Sequence, residues 1–137
     1  MLRIDVSFLL IGVLCLLTSL MLGIGMSSAH NFQLALLQAN LNLFGFVSLS
    51  VFGLAYRLYP ALQRSRLAMP HLAVSSIGAL VFPFGIDVSV SHAFPAAAFT
   101  TLLIVLGGAV LFAANLILNV ALSAAPGRMA PAVPWAA

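Results

Sequence analysis

Lysine and glutamate are absent from this 137-residue chain, whose formal charges are five arginines and two aspartates. Soluble domains carry about 25% charged residues; here the share is 5%, against 64% hydrophobic. So few charges cannot cover the wet surface of a 14.3 kDa domain, which excludes a soluble globular protein. The single cysteine, Cys15, lies inside an apolar run, so neither a disulfide framework nor a cysteine metal site is available. The net charge of +3 would suggest nucleic acid in a soluble protein. The arginines instead stand at the edges of apolar runs, as topology signals do, and no nucleic-acid partner is expected. With no charged group in the middle of an apolar run, acid–base and nucleophilic catalysis have almost no material, and the reading is of a protein without a catalytic site.

What the chain has instead is hydrophobic length. About 20 apolar residues cross a bilayer core as a helix. Four such stretches run from about Val6 to Gly25, Phe32 to Leu58, Leu67 to Ile86 and Phe99 to Leu122. The third is the shortest, with Pro70 in its first turn. The fold class is therefore all-α: a polytopic integral membrane protein with four transmembrane helices in an up-down bundle or arc. Its transmembrane domain occupies residues 1–123. A Pro/Ala-rich tail follows over 124–137, extended in character, with Pro126, Pro131, Pro134 and Trp135. The first stretch is longer than a secretory signal core and reads as a retained helix, and Leu14 before Cys15 is too large for a lipoprotein cleavage site.

Arg3 precedes the first span, Arg57, Arg64 and Arg66 separate the second from the third, and Arg128 follows the fourth. An even number of spans places all of them on one side. The positive-inside rule then puts both termini and the middle loop in the cytoplasm, with the spans in a bacterial inner membrane. Tyr56 and Tyr59 flank Arg57 as an aromatic belt would.

Span two is unusually polar, with Gln33, Gln38, Asn40 and Asn42. At 1.5 Å per residue, Asn42 lies about 15 Å below Phe32, near the midplane. Residues 38, 42 and 45 share a face with Leu49 below, whereas Asn40 points about 200° away. An amide facing lipid lacks partners, so both sides of this helix are expected to meet protein. Four helices bury one such face; two opposed faces imply a homo-oligomer or a larger complex. In span four, Thr100, Ile104, Gly108, Leu111, Asn115 and Asn119 form a stripe, with Gly107 beside it. This stripe is either the wall of a pathway or cofactor site, or interhelical fastening at about 0.6–2 kcal/mol per hydrogen bond. The lack of an ionisable companion favours fastening. Span three offers Ser75, Gly78 and Gly85 for close helix contact.

Imidazole is the usual haem or metal ligand in a membrane bundle. His30 and His92 fall in the two loops opposite the arginines and could pair; His71 begins span three on the arginine side. A metal or edge-on haem at His30 and His92 stands against the plainer reading of interfacial polar residues. Asp87, at the end of span three, marks the interface.

The run Gln38-Ala39-Asn40-Leu41-Asn42-Leu43-Phe44-Gly45-Phe46-Val47, followed by Val51-Phe52-Gly53-Leu54 and Tyr56-Arg57-Leu58-Tyr59-Pro60, resembles a known pattern. It is similar to small four-helix membrane proteins related to the catalytic subunit of haem–copper oxidases, in the cbb3-type and nitric oxide reductase branch. Those relatives read His-Ala-His-Leu-Asn-Leu-Leu-Gly-Trp at this place, then Phe-Gly-Leu-Tyr-Tyr-Arg-Leu. They carry His-x-x-x-His-Asn-x-Gly where this chain has His71 through Gly78, and Leu111 through Asn115 also fits. The likeness covers about residues 20–120, with span two its specific part. Gln38 and Asn40 stand where the family has histidines, and Ser75 and Ser76 where it has His-Asn; only His71 remains. A carboxamide is a poor iron ligand, so the resemblance implies a scaffold without a haem–copper centre that keeps Asn42, Gly45, Gly53 and Gly78 for packing. It also implies an assembly: the oxidase subunit is three four-helix arcs about a pseudo-threefold axis, and three copies of this chain would rebuild it as a homotrimer.

The leading expectation is a non-catalytic scaffold in the lipid bilayer, a homo-oligomer or an accessory subunit of a respiratory or photosynthetic electron-transfer complex, with no cofactor. One alternative is a haem b protein for electron transfer or gas sensing that uses His30, His71 or His92. Another is a small transporter or channel lined by Gln38, Asn42 and Asn115.

Overall fold

A computed structural model describes residues 3–121 of the chain, so the tail and Trp135 lie outside the described residues. Helix α1 covers Ile4–Ala29 and α2 covers Ala35–Leu58, the latter π-helical over Leu41–Ser48. A single turn, α3, covers Pro60–Gln63. Helix α4 is Ala68–Ser91, and α5 is Pro95–Leu116, continuing as a π-helical turn over Ile117–Ala121. Four of these helices are long and apolar enough to cross a bilayer, with 26, 24, 24 and 26 residues.

Local chemistry sets the ends. His30 takes the left-handed conformation (φ 50°), which lets the Asn31 N–H reach the Met26 carbonyl at 3.1 Å and closes α1. Asn31 Oδ1 accepts the Gln33 N–H at 3.1 Å, so α2 begins at Ala35 and Gln33 belongs to the turn. Pro60 and Pro95 occupy first turns, where their missing N–H costs nothing, and Pro70 lies in the first turn of α4. The third span is as long as the second, because α4 runs five residues past Ile86. Asp87 thus lies within α4 rather than at its end, and α5 begins four residues before Phe99.

The inward face of α2 is a stripe of Leu37, Leu41, Gly45, Leu49, Gly53 and Tyr56, all buried. Its spacing is four residues from 37 to 53, which drifts around an α-helix of 3.6 residues per turn. The π-helical stretch, at about 4.4 residues per turn, turns more slowly and holds the stripe on one side. Ser48 Oγ donates to the Leu43 carbonyl at 3.1 Å within this stretch. The expected face of residues 38, 42 and 45 is therefore corrected: Asn42 lies one residue off the stripe and is exposed. Asn40 donates its amide to the Leu36 carbonyl of its own helix at 2.8 Å, so its position opposite Gln38 no longer demands a protein neighbour.

Small residues let the helices approach. A Cβ on Gly53 would sit 3.0 Å from the Asp5 carbonyl oxygen, and one on Gly45 2.7 Å from Cys15 Cβ. A Cβ on Gly23 would collide with the Gln38 amide nitrogen, and Ser19 Oγ donates to the Gln38 carbonyl at 3.2 Å. Contacting positions thus fall along α2 as they rise along α1. The same holds for α4 and α5: a Cβ on Gly108 would meet Ser75 Oγ at 2.6 Å, one on Gly78 would meet the Val105 backbone at 3.3 Å, and one on Gly85 would meet the Ala97 carbonyl oxygen at 2.9 Å, while Gly107 stands 3.7 Å from Val74. The hydrophobic core gathers at the end of the molecule where α3 lies, around Ile4, Phe8, Leu49, Tyr56, Leu62 and Leu72.

Gly45→Val should force Cys15 aside and destabilise the protein by about 1–3 kcal/mol. Gly25→Ala, at a position with nothing within 4 Å, should leave it unchanged. Thermal unfolding in detergent measures both, and equal midpoints would contradict the α1–α2 packing.

Candidate functional site

Most of the buried side-chain hydrogen bonding collects at the core end of the helices. Tyr56 reaches it because it continues the inward stripe of α2, three residues after Gly53. His71 enters from the first turn of α4, and Asn115 from the end of α5. All three are fully buried. The expected aromatic belt is thus corrected for Tyr56, while Tyr59 is exposed.

The hydrogen bonds form a directed chain. Asn119 Nδ2 donates to Asn115 Oδ1 at 2.7 Å, and Asn115 Nδ2 donates to the Tyr56 hydroxyl at 2.9 Å. With its oxygen accepting, the phenol has its proton free for His71 Nδ1, 3.0 Å away. Asn115 Nδ2 also lies 3.4 Å from the Leu62 carbonyl, and Gln63 Nε2 donates to the Tyr56 carbonyl at 3.0 Å. One set of polar atoms therefore joins α2, the α3 turn, α4 and α5. Donors and acceptors aligned head to tail strengthen one another in a medium of low dielectric.

Around His71 the walls are aromatic. Phe52, Phe8 and Phe112 place their ring centroids 4.8, 5.0 and 5.4 Å from the imidazole, and Tyr56 stacks on it at 5.6 Å. Nε2 is buried and has no hydrogen-bond partner. Nδ1 is thus engaged by the phenol, and Nε2 is enclosed by this packing.

The other candidate ligands lie apart from this network. His30 and His92 are exposed in the turns after α1 and α4. Among the described residues, no three His, Cys, Asp or Glu side chains gather where they could hold a metal ion. Ser75 is buried between α4 and α5, over Gly108, with its hydroxyl unpartnered. Gln38 is half-buried at the α1–α2 contact, and Asn42 faces outward.

Two residues escape the sequence reading. Asp5, one residue before the first apolar run, belongs to the first turn of α1 and is buried, with Oδ2 paired to Arg3 at 3.0 Å. Tyr56 is legible from the 49–53–56 spacing but is masked by its arginine neighbour.

Tyr56→Phe strands His71 Nδ1, leaves Asn115 Nδ2 only the Leu62 carbonyl at 3.4 Å, and should cost about 1–3 kcal/mol. Asn115→Ala removes part of the same chain, so the double variant should lose less than the sum of the single losses. Unfolding in mixed micelles measures the cycle, and strict additivity would contradict the shared network. No family model, no curated protein and no solved structure matches this chain.

Proposed function

We propose that the protein is a non-catalytic scaffold of an electron-transfer membrane, spanning the bilayer four times in alternating directions and working through side-to-side helix association. The observation that carries this reading is the buried network at Tyr56, His71 and Asn115, whose hydrogen bonds run between helices. The resemblance of the Gln38–Pro60 run to the haem–copper oxidase subunit supplies the electron-transfer setting, and the replaced histidines supply the absence of a metal centre. The chain acts there as a homo-oligomer, three copies completing a twelve-helix ring, or as an accessory subunit of a respiratory or photosynthetic complex. The arginines at positions 3, 57, 64, 66 and 128 support cytoplasmic termini in a bacterial inner membrane.

In mild detergent the protein from its native membrane should co-migrate with haem-containing subunits or with its own copies, and the chain separated from those subunits should show no Soret band. A reducible haem that stays with the isolated chain, stoichiometric with it, would overturn the proposal, as would a solitary monomer. Orientation is tested by labelling: with Cys15→Ser as background, Ser28→Cys should react with an impermeant maleimide from outside the cell, and Ser65→Cys only after permeabilisation. The reverse pattern would invert the topology.

A further inference from the structure

Asn42 is the polar side chain that the fold leaves facing outward within the span of α2. It is exposed and makes no hydrogen bond among the described residues, in contrast to Asn40, which bonds its own helix. It lies about 7 Å along the axis from the middle of Ala35–Leu58, well within a hydrocarbon core of about 30 Å. A carboxamide at that depth needs a partner, because lipid tails offer none. We propose that the face of α2 around Asn42 is a contact between copies of this chain, in which the Asn42 amides of neighbouring copies bond to one another.

Three observations select a second copy as the occupant. Copies inserted in the same orientation hold Asn42 at the same depth, so around a symmetry axis each amide meets its own equivalent. A carboxamide both donates and accepts, which makes the group self-complementary. Ala35 and Ala39, seven and three residues before Asn42 on this face, are exposed and small, so two α2 helices can approach closely. Beside them, Leu20, Gly23, Ile24, Ser27 and Gln38 border a shallow groove of about 470 Å³ between α1 and α2, which offers room for the flank of a neighbouring helix. This contact deepens the scaffold proposal and rests on its reading of the helices as bilayer-spanning.

Cross-linking in native membranes tests it. With Cys15→Ser as background, Asn42→Cys should give a dimer band on oxidation with copper phenanthroline. Leu103→Cys, exposed on α5 and about 7 Å before the middle of Pro95–Val120, should remain monomeric. In dilution measurements by energy transfer between labelled copies, Asn42→Leu should weaken self-association about threefold to thirtyfold, while Asn42→Gln should retain it. Absence of the dimer band, equal bands from both cysteines, or an adduct with a different protein would overturn the contact. Co-purification with haem-containing subunits without this cross-link would sink the contact and leave the scaffold proposal standing; haem held by the isolated chain, with the cross-link intact, would do the reverse.

Discussion

Water is excluded from the interior that these helices enclose, so each polar atom there must be answered by another protein atom or stay unanswered at a cost. The Tyr56 hydroxyl is where that demand is met most fully. It accepts from α5 and shares a hydrogen bond with His71 of α4, while the Tyr56 backbone carbonyl takes the Gln63 side chain of the α3 turn. Apolar packing alone gives weak orientation in lipid, because tails and leucines attract one another about equally. The phenol supplies direction, and the rings of Phe8, Phe52 and Phe112 fill the space that the imidazole leaves.

The opposite end is held differently. There the α1–α2 contact rests on Gly23 beneath Gln38 and on the Ser19 hydroxyl bonded to a backbone carbonyl. Close backbone approach replaces buried side-chain networks, and α5 is the least buried of the spans. One end of the molecule is thus tied by hydrogen bonds across three helices, the other by fit between neighbours.

Legibility follows the same division. Hydropathy locates the four spans, since length and apolarity are properties of composition. Gly108 and Asn115 are readable as one stripe because a straight α-helix preserves that spacing. Asn42 is misplaced by a 3.6-residue period because the stretch from 41 to 48 is apolar apart from Asn42 and Ser48, which hides the change of winding there. Asp5 is lost for another reason: a boundary drawn where charge begins leaves out a carboxylate that the first turn of α1 buries while its partner Arg3 stays exposed. His71 is visible as a residue, but its enclosure depends on rings from three other helices, a matter of tertiary packing that no local spacing records.

The slow-winding stretch of α2 makes that helix two cylinders with a fixed phase offset. Adding or removing one residue between 41 and 48 would rotate one cylinder by about a quarter turn against the other. Tyr56 would then leave its junction or Gln38 its cleft, even with every side chain unchanged. In this part of the chain, counting matters more than chemical identity.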